Sequence, residues 1–201
     1  MLNESEKEAA RIRANLQRPA RISNLKKFLV EYWNLEDAKQ IERVQFIEAI
    51  NLPSQHQKSF KFLNDDRLAG TMIAVVPDDM WIKGDQPSES DAENDLILFK
   101  ESYYGGADNI AWMVHELAHC LRFKDTKDDY GRDSQTYAFE NIKSEYAYPN
   151  NKVEAYTFLR QFKYLKEKGV TRNNIRKMLG EHYEAEDFKF FDRILKQVFG
   201  S

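Results

Sequence analysis

Apolar residues fall at helical spacing through the first third of the chain and again from about residue 151 onward, with a short β-branched interval between. Residues 4–17 are charged with spaced apolar positions, which predicts a helix. ISNLKKFLVEYW (22–33) and EDAKQIERVQFIEAI (36–50) carry the same period, and in the second Ile41, Val44, Phe46 and Ile47 are set to face a core. Pro53 suits the first turn of a further short helix reaching about Phe62. TMIAVV (71–76) breaks the pattern: it is β-branched and apolar, and Pro77 closes it, which predicts a strand. The acidic stretch 77–95, with Pro and Gly, reads as a loop with room for a short strand at Met80–Ile82, and LILF (96–99) as a second strand. Tyr103-Tyr104-Gly105-Gly106 makes a turn, and Asp108 is placed to cap a helix from Asn109 to about Phe123. Residues 124–150 are polar, tyrosine-rich and irregular. A helix follows from about Asn151 to Lys168, stopped by Gly169, then two shorter ones over 171–184, with Thr171 as cap, and 186–199.

Helices, a small β region, then helices again predict an α+β fold with a small sheet flanked by helices. A length of 201 residues fits a single domain. Within it, 1–63 reads as a helical N-terminal region, 70–168 as the core and 169–201 as C-terminal helices. Hydrophobic residues at 42% are enough to fill a core, and a net charge of -3 argues against a dedicated nucleic-acid binder. Cys120 is the sole cysteine, so no intrachain disulfide can form. The charged start MLNESEKEAARIR has no apolar signal core, and no run approaches the roughly 20 apolar residues of a membrane span. The expectation is a soluble, cytoplasmic protein with no membrane partner.

The chemistry concentrates in IAWMVHELAHCLRFK (110–124), which holds two of the chain's four histidines. Residues four apart share one helical face, so His115 and His119 can aim two imidazoles at one point, and zinc accepts such nitrogens. Glu116 projects about 100° from His115. It is therefore not placed as a third ligand but beside the water that the metal activates, where it can accept a proton. Ile110, Val114, Leu117, Ala118 and Leu121 form an apolar stripe next to the histidines, as the floor of a cleft requires. Cys120 reads as a small buried hydrophobe rather than a ligand, and the aspartates of DTKDDYGRDS (125–134) as a solvated loop. His56, in QHQK, reads as exposed, and Trp33, Trp81 and Trp112 as core or cleft wall.

HELAH at 115–119 resembles the HExxH signature of the zincin zinc metallopeptidases. The resemblance runs from about Met72 to Leu165 and implies a zincin-like α+β fold, one Zn2+ per chain and a peptide or protein substrate cut with Glu116 as general base. In that family the signature helix follows a small sheet whose edge strand lines the cleft. LILFKESYYGG stands in the corresponding place, which makes Leu96–Phe99 the candidate strand for pairing with an extended peptide. The metzincin variant does not fit, because Arg122 and Asp125 occupy the positions of its glycine and third histidine.

Catalytic zinc takes three protein ligands, so a third must come from elsewhere. On the helix after 151, Ala155, Phe158, Leu159, Phe162 and Leu165 make the core face, and Glu154 stands at its edge near the start. A glutamate there needs a partner, and a metal is one. The segment also resembles the glutamate-bearing helix of gluzincins, so Glu154 joins His115 and His119 as the leading set, with Asp125, Glu140 and Glu145 as alternatives. The resemblance further implies an oxyanion donor, for which Tyr146, Tyr148, Tyr156 and His182 are candidates. The compact form is nearest to stand-alone phage or bacterial members. The rival reading is a catalytically inactive zincin-fold binding protein.

Overall fold

The computed structural model describes the chain except residues 1–3, 36, 105–108, 131–147 and 201, and the side chains of 4–17 and 127–130. The turn glycines, the Asp108 cap, Tyr146, Glu140 and Glu145 therefore lie outside the described residues.

The fold is α+β, as the sequence order predicts, with helices around a small mixed sheet. Strands β1 (Gln45–Glu48), β2 (Met72–Val76), β3 (Ser88–Asp91) and β4 (Leu96–Lys100) lie in the order β1-β2-β4-β3. β2 and β4 run parallel, with Met72 opposite Leu96 and Val76 opposite Lys100. β1 and β3 flank them antiparallel. MIAVV and LILF are apolar at every position because helices cover both faces of the two inner strands.

Alternation sorts the two faces. Met72, Ala74, Val76, Leu96 and Leu98 pack with Leu25, Leu29 and Trp33 of the first helix, α1 (Glu4–Tyr32), and the turn after it. Ile73, Val75, Ile97 and Phe99 point the other way, onto Met113, Leu117, Cys120 and Leu121 of the signature helix. That helix, which runs over Ile110–Tyr130, is sandwiched. Its opposite side, with Ile110, Ala111 and Val114, meets the aromatic core of the C-terminal helices, built on Phe158, Phe162, Phe190 and Phe191. In chain order the remaining helices are α2 (Gln57–Leu63), α3 (Glu101–Tyr104), the signature helix α4, α5 (Lys152–Glu167), α6 (Arg172–Leu179) and α7 (Phe188–Phe199). Among the described residues, no helix is long and apolar enough to cross a membrane.

Several details differ from the sequence reading. The signature helix runs on to Tyr130, past its expected end near Phe123 and through the first part of the stretch 125–134 read as a loop. The two helices expected over 4–33 run on as one through Pro19. Residues 37–50, within the helix expected over 36–50, do not form an α-helix: a 3-10 turn over Ala38–Arg43 leads into β1. Ile41 and Val44 are buried as expected, because their spacing of three suits a 3-10 turn as well as an α-helix. Met80 ends a 3-10 turn instead of opening a strand, and the strand in this stretch is β3, at Ser88–Asp91. LILF consequently becomes an inner strand with both edges paired, so Leu96–Phe99 has no edge to offer a peptide; among the described residues the outer strand on that side is β3.

Candidate metal centre

α4 and α5 pack against each other, and their facing side chains make the site. His115, His119 and Glu154 are 5%, 7% and 6% exposed, and their donor atoms all fall within 4.8 Å of one another. The two Nε2 atoms are 3.1 Å apart. Glu154 Oε2 lies 3.4 Å from His115 Nε2, and Oε1 lies 3.5 Å from His119 Nε2. A tetrahedral ion with arms of roughly 2.0–2.1 Å needs ligand separations of about 3.3 Å, so the triad has the right span for zinc.

Local sequence explains each position. Asn151 caps α5, its side-chain oxygen accepting from the Glu154 backbone N–H at 2.8 Å, which fixes Glu154 in the first turn. Phe158, one turn on, sets its ring against the His115 imidazole with centroids 4.6 Å apart. Gln161, one turn further, brings Oε1 to 3.2 Å from His115 Nδ1. An Nδ1–H donated to that carbonyl leaves the Nε2 lone pair facing the other two ligands, the tautomer a metal requires. The inward face of α5 thus runs Glu154, Thr157, Phe158, Gln161, rotated slightly from the expected Ala155–Leu159 face.

Electrostatics supports a cation at the centre. Burial would depress the His115 imidazole, but the adjoining Glu154 carboxylate raises it instead. Burial dominates at His119, which falls to about 4 and stays neutral. Burial also pushes Glu154 upward, yet the two imidazoles hold it below the ordinary carboxylate value. No hydrogen bond reaches its buried Oε2. A buried carboxylate between two imidazoles is costly unless positive charge sits among them, whether a bound cation or a proton on His115. On these grounds the three residues could hold a metal ion.

Glu116 faces a cleft of about 590 Å³ next to the triad. Burial raises its pKa, against the pull of His115 and of hydrogen bonds from Ser88 and Ser90. Ser88, on β3, donates to Glu116 Oε1 at 2.8 Å. The reading of 77–95 as a loop missed this contact; SESD carries no apolar alternation, so nothing in it signals a strand.

The remaining candidates separate cleanly. Tyr148 and His182 line the cleft. Tyr183 lines it too, and its hydroxyl lies 2.9 Å from that of Tyr148, with its pKa pushed up to about 12, first by burial. α6 ends at Leu179 before Gly180, earlier than expected, which lets residues 181–183 turn toward the cleft. Tyr183 had no sequence signal. Asp125 is engaged elsewhere, 2.7 Å from Arg67 and accepting from Tyr156 at 2.8 Å, so neither Asp125 nor Tyr156 serves the site. Trp112 forms cleft wall, and Cys120 is fully buried against the sheet, as expected. His56 is buried, not exposed: its ring stacks on Tyr104 at 4.5 Å and Nε2 lies 2.8 Å from the Tyr104 carbonyl.

Comparisons of the chain with protein-family models, with curated proteins and with solved structures found no match.

Proposed function

We propose that this protein is a zinc-dependent metallopeptidase of zincin type, with His115, His119 and Glu154 as ligands and Glu116 as general base. The observation that carries this reading is the convergence of three buried donors, at zinc-like separations, on the cleft that Glu116 faces. A bound zinc would supply Lewis acidity, polarising a water molecule and the scissile carbonyl. Glu116, raised by burial, accepts the proton as water attacks and passes it to the departing amine. Ser88 holds that carboxylate in place. The Tyr148 hydroxyl, backed by Tyr183, stands in the cleft as a donor for the developing oxyanion, with His182 as a second candidate. β3 presents its outer edge beside Glu116, where an extended peptide can add as a further strand.

The test combines metal content with turnover. Protein purified without a tag or chelator should contain about one zinc per chain by plasma mass spectrometry. It should cleave members of a mixed peptide pool, and Glu116→Gln should keep the zinc while losing about 10²–10⁴-fold in rate. No metal after incubation with zinc would overturn the reading; zinc without cleavage of any peptide would favour a binding protein on the same scaffold.

A further inference from the structure

The charge on the cleft wall is one-sided. Among the described lining residues, Asp85, Glu89 and Glu181 add three carboxylates beyond Glu116 and Glu154, and no lysine or arginine lines the cleft. Asp85 and Glu181 are exposed. Glu89 is partly offset, with Lys83 at 3.0 Å from its Oε1 and the Tyr32 hydroxyl at 3.3 Å. A divalent ion on the triad balances Glu116 and Glu154, so the rim stays negative when metal is bound. Three aromatic rings, Trp112, Tyr148 and Tyr183, share the same wall. Carboxylates beside aromatic faces are the surroundings that a guanidinium or ammonium group prefers. The floor beneath the rim holds Glu154, 94% buried, with its carboxylate oxygens 3.4 and 3.5 Å from His115 and His119.

We propose that the cleft selects peptides carrying lysine or arginine beside the scissile bond, with Asp85 and Glu181 as the specificity-determining residues. The proposal rests on the cleft being the substrate site. Exposed carboxylates attract a cationic peptide over a distance set by screening, about 8 Å at physiological ionic strength, and repel an acidic one.

The experiment uses zinc-loaded Glu116→Gln protein, which holds peptides without cutting them. Three labelled peptides of equal length, with lysine, glutamine or glutamate at the positions flanking the central bond, are compared by fluorescence anisotropy at low and high salt. The lysine peptide should bind at least about tenfold tighter than the glutamate one, and the gap should narrow with salt. Adding Asp85→Asn with Glu181→Gln should bring the three within about twofold of one another; both positions are exposed, so the fold is spared. Equal binding of the three, preference for the glutamate peptide, a preference that survives the double substitution, or no binding up to millimolar peptide would each overturn the proposal. Wild-type protein is then given the lysine peptide. Charge-selective binding without cleavage would sink the peptidase reading and leave the rim standing, whereas cleavage without charge preference would do the reverse.

Discussion

On one side of the cleft, α4 and α5 hold His115, His119 and Glu154 almost wholly inside the protein, packed beside Phe158 and tied through Gln161. On the other, β3, the outer strand of the sheet among the described residues, brings a polar strand to the same helix, touching it through Ser88 and Glu116. The helical side is held by the core, where close packing fixes side chains to a few tenths of an ångström. The strand side is held by hydrogen bonds that an incoming chain can share or extend. Such a division suits a site whose metal geometry must stay constant while substrates vary.

Substitutions can sharpen or break this contrast. The largest effect is expected on the helical side: His119→Ala and Glu154→Ala should each abolish stoichiometric zinc, measured as metal content against the wild type. Zinc retained by Glu154→Ala would remove α5 from the ligand set. Next, Gln161→Leu should weaken zinc by about 10–100-fold in a competition titration, as loss of an orienting partner does. Its cost in thermal stability should be small, because the Gln161 side-chain N–H₂ is itself buried without a partner. Unchanged affinity would mean that Phe158 packing alone orients His115.

The smallest effect is expected on the strand side. Burial holds Glu116 high, and the Ser88 hydroxyl opposes that by stabilising the carboxylate. Ser88→Ala should raise Glu116 further. The working form is the deprotonated one, so activity lost as pH falls should be lost earlier. The acid limb of the rate profile should move up by roughly one pH unit, the worth of a charge-assisted hydrogen bond, with the plateau near its wild-type height. Ser88→Thr should restore it. A pH-independent fall in rate would instead mark Ser88 as a purely structural contact.

The same contrast governs what could be read in the sequence. α4 and α5 were legible because burial on a helix imposes a 3.6-residue period, and the ligands stand in register with it: Ile110, Val114 and Leu117 announce the face beside His115 and His119. MIAVV and LILF were legible as strands, but their apolar run did not show that LILF is an inner one. SESD was not, because one of its faces meets a carboxylate rather than a core, and hydrophobic patterning has no term for that. β1 was misread because Ile41, Val44 and Ile47 recur every three residues, a spacing that a helical turn and the start of a strand can satisfy in succession. His56 was misjudged from its polar neighbours, when what covers it is Tyr104, forty-eight residues away. Tyr183 enters the cleft by tertiary placement alone.

The Asn151 cap acts as an index mark on the machine. It holds the backbone N–H of the same residue whose side chain completes the triad, so the first turn of the helix is closed at Glu154 instead of being left to fray. Whatever the length or composition of the chain between α4 and α5, the turn that carries Glu154 is closed at this one peptide. For anyone shortening, lengthening or grafting onto that connection, Asn151 is the residue to leave in place. Its loss would cost about 1 kcal/mol of stability and would loosen the very turn that holds Glu154.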